Sequence, residues 1–282
     1  MLNREALEVP PPPQSRCIAT VFKNVIYFFN RNCYASDMTH HYKYKKAFTL
    51  AEVLITLGII GVVVALTIPT LISKYQEKVT ITKLKKVYSI LQTAYTAAEA
   101  EYGKPRYWTE TTDETVENSI TAWNTLTQYI TNKKDCSTRN SNCFASQYYD
   151  LNGEKVYAEA LNWQNHNKIL LPDGIAIYAT INWLSWPSSL NGYWPVGQII
   201  VDVNGPKGPN VAGKDYFRFY LTTERGVVPC GAQVYPEDNT WGVGMHSRDD
   251  SCFTGWVLQN ENMNYTKCKD SSQFTWSHPS CD

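Results

Sequence analysis

The chain has 282 residues and carries 26 lysines and arginines against 26 aspartates and glutamates, a formal net charge of zero. That balance excludes the bulk electrostatic affinity for nucleic acid or anionic membranes that a strongly basic chain shows. Mean hydropathy is −0.36 in spite of one long apolar segment, so the sequence around that segment is polar, and the stretch C-terminal to it is long enough for one domain with its own core.

Residues 1–47 precede the apolar segment. The proline run at 10–13 reads as a disordered tail rather than a ligand for a proline-recognition domain, and 21–30 can form a short apolar helix. Met38 opens a ten-residue basic stretch, Met-Thr-His-His-Tyr-Lys-Tyr-Lys-Lys-Ala. The expected start is Met38, with residues 1–37 supplied by an over-extended reading frame; the alternative is a true long leader, and either form would be removed.

The order Lys45-Lys46-Ala47-Phe48-Thr49-Leu50-Ala51-Glu52-Val53 heads an apolar run that reaches Ile72. From Phe48 to Ile72 is 25 residues, about 37 Å as a helix and enough to cross a bilayer. Glu52 is the single acidic residue in it, and a carboxylate there costs roughly 2.5–3.5 kcal/mol on insertion scales, which implies a partner. A secretory h-region is shorter and ends in a small-residue cleavage site, absent after Pro69-Thr-Leu-Ile-Ser-Lys-Tyr75. A plain anchor explains the apolar run but neither Glu52 nor the order of residues around it.

These residues resemble the prepilin-type cleavage and methylation signal of type IV pilins and type II secretion pseudopilins. The resemblance implies cleavage by a prepilin peptidase between Ala47 and Phe48, with Ala47 standing where glycine is usual, followed by N-methylation of Phe48. Glu52 then occupies the family's glutamate position, the fifth mature residue. A cationic amine at Phe48 lies one helical turn from it, and pairing with a neighbour's amine in a filament makes Glu52 a register device. Pro69 falls where the family carries a helix-kinking proline, and Gly58 and Gly61 where its helix loosens. The implied partners are other pilins or pseudopilins and an assembly platform protein driven by a cytoplasmic ATPase; no nucleic acid is indicated.

The helix is expected to run on past the membrane segment. Leu71, Tyr75, Val79, Leu84, Val87, Tyr88, Leu91, Ala94, Tyr95 and Ala98 recur at three- and four-residue steps and form one amphipathic stripe, which Gly103-Lys-Pro105 ends. The basic stretch at 83–86 reads as a solvated face. Residues 116–131 predict a second helix. Runs at 168–171 and 175–183 flank the turn signal Pro172-Asp173-Gly174, and runs at 196–203 and 216–222 flank a Gly/Pro-rich loop. The fold class is therefore α+β and pilin-like: a long N-terminal helix, its first half in the membrane, packed on an antiparallel sheet of about four strands, with a disulfide-stapled C-terminal loop region. The divisions are a leader at 1–47, a membrane or filament-core helix at 48–72, its amphipathic continuation at 73–103 and a globular head at 104–282.

Cys17 and Cys33 lie in the leader, which leaves Cys136, Cys143, Cys230, Cys252, Cys268 and Cys281 in the mature chain. An even number in an exported domain points to disulfides. Cys136 and Cys143 enclose a short polar loop and form a plausible local bridge, while the pairing of the other four stays open. Zinc is the rival, with His246 and His278 near the last cysteines, but no C-x-x-C pair occurs. The disulfides set the orientation: leader in the cytoplasm, residues after about 72 outside.

Three other features bear on function. Asp202-Val-Asn204-Gly205 followed by Asp215 offers hard oxygens at alternate positions and a glycine for the turn, as a calcium loop does, although Asn-Gly is also a hairpin turn. Asp238, Asp249 and Asp250 read as plain loop residues. Trp183, Trp186, Tyr193 and Trp194 cluster between strands, where they either fill the core or stack on sugars. His166, His246 and His278 have no recognisable nucleophile, and no G-x-S-x-G or phosphate loop occurs. No enzyme is expected and no cofactor beyond calcium. The reading is a structural pilin subunit in the inner or cytoplasmic membrane, single-pass, destined for an extracytoplasmic filament. A cysteine-rich head of this size favours a minor or tip-proximal subunit. The alternatives are a pilin-mounted glycan-binding adhesin and a membrane-anchored exported enzyme.

Overall fold

A computed structural model describes residues 48–136, 143–156, 167–182, 195–233 and 251–281, together with a strand pair at 21–26. The remaining leader residues, the aromatic loop with Trp183, Trp186, Tyr193 and Trp194, and His166, Asp238, His246, Asp249 and Asp250 lie outside the described residues. The chain divides into two compact units, Met1–Leu57 and Gly58–Asp282.

In the first unit β1 (Val21–Phe22) and β2 (Val25–Ile26) pair antiparallel. Residues 21–22 and 25–26 are thus extended where an apolar helix was expected, as suits β-branched and aromatic residues; the rest of 21–30 lies outside the described residues. The helix α1 (Leu50–Tyr102) continues through Pro69 and ends where Gly103 turns to φ +75°, a left-handed position that suits glycine.

In the second unit, α1 contributes Ile81, Leu84, Val87, Leu91, Ala94, Tyr95 and Ala98 to the core. They follow the expected stripe from Leu84 onward, whereas Leu71, Tyr75 and Val79 are exposed. Each fully buried aliphatic side chain among them contributes about 1.5–3 kcal/mol by transfer from water. After α1, Trp108 packs on Tyr95 and donates its indole N–H to Gly103 O at 2.9 Å. The helix α2 (Val116–Thr127) starts at Thr115, whose hydroxyl accepts the Asn118 N–H, and stops short of the expected 131.

The sheet has six antiparallel strands where about four were expected. They are β3 (Lys134–Asp135), β6 (Asn167–Leu170), β7 (Ala176–Ile181), β8 (Pro195–Asp202), β9 (Tyr216–Thr222) and β10 (Gly226–Pro229), in the order β10-β9-β8-β7-β6-β3. A separate hairpin joins β4 (Tyr148–Tyr149) to β5 (Lys155–Val156). Alternation along β9 shows how the sheet works. Phe217, Phe219 and Leu221 join the cluster that contains the α1 residues, while Tyr216 and Tyr220 join clusters of other composition. Both faces are buried. One packs against α1, α2 and the C-terminal segment, the other against residues 143–148 and the buried Cys230 and Cys252. Gly197 stands at a bulge in β8 because a Cβ there would meet Thr180 O at 2.6 Å.

Three disulfides fix the pairing that the sequence left open: Cys136–Cys143, Cys230–Cys252 and Cys268–Cys281. The zinc alternative loses its thiolates to these bonds. The C-terminal segment is more than stapled loops. It holds α3 (Thr254–Asn260), and Phe253, Trp256, Tyr265 and Phe274 stack into the main core, with Phe253 and Tyr265 4.0 Å apart at 6°.

Candidate functional site

The start of α1 is closed by a reciprocal cap. The Thr49 N–H donates to Glu52 Oε2 at 2.8 Å, the Thr49 hydroxyl donates to the same oxygen at 3.0 Å, and the Glu52 N–H donates back to Thr49 Oγ1 at 3.2 Å. This Thr-x-x-Glu box satisfies backbone donors that a helix start otherwise leaves open. It gives the carboxylate a partner within its own chain, in addition to the neighbouring subunit's amine that the sequence implies. Phe48 is 85 % exposed at this end, and Ala47 lies outside the described residues. Gly58 and Gly61 have nothing within 4 Å of a notional Cβ, so they present an open surface. Among the described residues α1 is the helix long and apolar enough to cross a membrane, and none of its most apolar window is buried within the protein.

Further along α1 the lysines at 83–86 stay partly exposed, and each also meets a partner elsewhere in the fold. Lys83 Nζ donates to Val203 O at 2.7 Å, Lys85 pairs with Glu261, and Lys86 meets Asp173 in the β6–β7 turn at 2.6 Å. Glu77 accepts the Met263 N–H at 2.6 Å. The basic stretch is the seam that ties the helix to the sheet and to the C-terminal segment. Its partners lie 87 to 176 residues away, beyond the reach of any local signal.

The structure gathers Asp202, Asn204 and Asp215 into one loop. Asp202 Oδ1 accepts the N–H groups of Asn204 (3.0 Å) and Gly205 (2.8 Å), and its Oδ2 accepts the Tyr148 hydroxyl. Asp215 accepts the N–H groups of Asn210 (2.7 Å) and Val211 (2.6 Å) and the Asn204 amide (3.0 Å). Burial pushes the Asp202 carboxyl up to about 7, against the opposing pull of these hydrogen bonds, and raises Asp215 as well. Each carboxylate accepts three hydrogen bonds. The buried side-chain oxygens of this loop left without a partner are Asn204 Oδ1 and Asn210 Oδ1. As arranged, the loop is closed by its own hydrogen bonds. Among the described residues no group of three His, Cys, Asp or Glu side chains is placed to hold a metal.

Comparison with known families accounts for most of the chain. Residues 42–68 match the prokaryotic N-terminal methylation motif, the signal of type IV pilins and pseudopilins. Residues 70–248 match a family of unknown function, DUF6613. The chain belongs to that family. No curated protein and no solved structure matches it. The DUF6613 region thus begins within α1 and takes in the whole sheet, so the pilin-type signal and the domain share one helix. This chain is a pilin-like or pseudopilin protein with a membrane-anchoring helix.

His278 is exposed and meets only Ser277 through its ring, at 3.2 Å.

Proposed function

We propose that the protein is a structural subunit of a type IV pilus or type II secretion pseudopilus. It is cut by prepilin peptidase between Ala47 and Phe48, methylated at Phe48, and held as a single pass with its N-terminus inside until other pilins, a platform protein and a cytoplasmic ATPase take it into a filament. One observation carries this reading: a methylation motif heads a helix whose first half is apolar and unburied while its second half is the core of a folded head. Burial of the first half is left to lipid or to other subunits, as a stem requires. Residues 48–72 serve as stem, 73–103 as the helix of the head and 104–282 as the rest of it. Glu52, released from its Thr49 cap, is the group that answers a neighbour's Phe48 amine and sets register.

The test is the intact mass and amino-terminal sequence of the membrane-extracted chain from cells with and without prepilin peptidase. A chain that begins at N-methylated Phe48 only when the peptidase is present is the expected result. Retention of Lys46-Ala47 in both strains refutes it.

A further inference from the structure

A cavity of about 620 Å³ opens between α1 and the 203–215 loop, a volume within the range of small-molecule sites. The stem sets its place along the helix. The apolar run ends at Ile72, and the cavity begins with Ser73, Tyr75, Gln76 and Glu77. At 1.5 Å per residue these four lie within about 8 Å of Ile72 along the axis. The polar layer on one side of a bilayer's hydrocarbon core is about 5–8 Å thick. A chain whose stem crosses the membrane therefore holds this cavity at the level of the lipid headgroups. Tyr75, 69 % exposed, is a residue type that belts such an interface.

The lining carries both signs of charge: amines from Lys83 and Lys214, carboxylates from Glu77 and Asp215. Three of these groups have bonding capacity left. Lys214 is exposed and makes no salt bridge among the described residues. Lys83 gives one of its three donors to Val203 O. Glu77 accepts the Met263 N–H on Oε1, which leaves Oε2. Asp215 is committed to Asn204, Asn210 and Val211. Asn204 also lines the cavity, and its Oδ1 is buried without a hydrogen-bond partner, an acceptor in want of a donor. The cavity thus presents amines to an anion and, on other groups, acceptors to an N–H donor. An apolar path leads to it from the stem. Ile68, Ile72, Tyr75 and Val79 are exposed and follow one another at three- and four-residue steps, so they form one line on the helix surface.

We propose that this cavity binds the headgroup of a zwitterionic phospholipid of the phosphatidylethanolamine class, in which a phosphate is joined to a primary ammonium, with the acyl chains lying along the apolar path into the membrane. Lys214 and Lys83 meet the phosphate, and Glu77 and Asn204 Oδ1 accept the ammonium hydrogens. The mixed lining selects against the other common headgroups. Phosphatidylcholine carries the same two charges, but its ammonium has no N–H to donate. Phosphatidylglycerol brings a net negative charge and no cation to answer Glu77 and Asp215. The bound lipid fixes the depth at which the head rides on the membrane. The inference rests on the reading of residues 48–72 as a membrane stem and adds a ligand for the part of the head nearest to it.

The test is native mass spectrometry of the full-length chain, purified in detergent and titrated with dioleoyl lipids of three headgroups: ethanolamine, choline and glycerol. The expected result is one saturable ethanolamine lipid per chain, bound at least tenfold more tightly than either of the others, as charge-assisted hydrogen bonds supply. Glu77→Gln, whose amide oxygen still accepts the Met263 N–H, brings the ethanolamine lipid to within about threefold of the choline lipid. Lys214→Gln, at an exposed side chain outside the salt bridges of the fold, weakens the ethanolamine and choline lipids alike by about tenfold. Should Glu77→Gln unfold, the wild-type preference and Lys214→Gln decide the matter. Equal binding of the three lipids, a preference for the glycerol lipid, an ethanolamine preference that survives Glu77→Gln, or binding indifferent to Lys214→Gln overturns the proposal. Processing at Phe48 and retention in membranes washed at alkaline pH are scored in the same cells. A processed, retained chain without the ethanolamine preference sinks this inference alone, whereas a chain washed from the membranes sinks the stem reading with it.

Discussion

The buried pair Asp202 and Tyr148 makes the head's stability depend on pH in an unusual direction. An unfolded aspartate titrates near 3.9, whereas burial brings the Asp202 carboxyl to about 7. Between about pH 4 and pH 7 the folded state therefore holds more protons than the unfolded one, and stability falls as pH rises through this window. Three pKa units at 1.36 kcal/mol each set an upper bound on the order of 4 kcal/mol for the penalty above pH 7. Asp215 is shifted the same way and adds to the slope. Asp202→Asn removes the penalty, because its amide oxygen still accepts the Asn204 and Gly205 N–H groups and its NH₂ can donate to the Tyr148 oxygen. Thermal unfolding of the detergent-extracted full chain, followed by circular dichroism from pH 8 to 5.5, should show the wild type gaining about 2 kcal/mol or more on acidification. The variant should start higher at pH 8 and stay flat. A wild type that is indifferent to acidification or loses stability in this range, or an Asp202→Asn chain less stable than the wild type at pH 8, refutes the reasoning. Millimolar calcium at pH 8 provides a further arm. If the ion can displace the donors from Asp202 and Asp215, it raises the wild-type Tm and leaves the variant unmoved; no shift leaves the loop closed by hydrogen bonds alone.

Packing and covalent linkage give two more expected outcomes. Gly226 has φ +70°, and a Cβ there would stand 2.7 Å from the Tyr95 ring; Gly226→Ala should lose on the order of 3 kcal/mol from the left-handed backbone and the clash together, and denaturant unfolding within about 0.5 kcal/mol of wild type would count against the close approach. Cys230 and Cys252 are fully buried and close a 22-residue separation, so Cys230→Ser with Cys252→Ser should cost about 3 kcal/mol through unfolded-state entropy, measured by denaturant unfolding under oxidising conditions; a double variant as stable as the parent refutes the pairing.

What the sequence made legible was whatever repeats locally. The stripe from Leu84 to Ala98 follows the period of the helix that carries it, and the run 216–222, alternating between two buried faces and bounded by loops, coincides with β9. The strands that a local reading misses are those whose status comes from a partner. Gly226-Val-Val-Pro229 is four residues ending in proline, too short for a periodicity signal, and becomes β10 because the Thr222–Gly226 turn lays it on β9, with Gln92 of α1 capping Val227 O. Lys134–Asp135 becomes β3 only through two residues of β6. The same distinction explains the C-terminal segment. Phe253, Trp256, Tyr265 and Phe274 have no common period, yet they converge into one aromatic stack.

Charge was the property least legible along the chain. Lys83, Lys85 and Lys86 looked like a solvated face because a helical wheel shows only neighbours three and four residues away, whereas their partners come from the β8 end, the C-terminal segment and the β6–β7 turn. Those three have partners within the fold, whereas Lys74, Lys78, Lys207 and Lys214 are exposed and make no salt bridge among the described residues. The overall net charge of zero concealed this as well, since it sums a cationic end and an anionic end that the helix holds about 40 Å apart. Neutrality rules out a general attraction to polyanions, but it does not describe how the charges are distributed along α1.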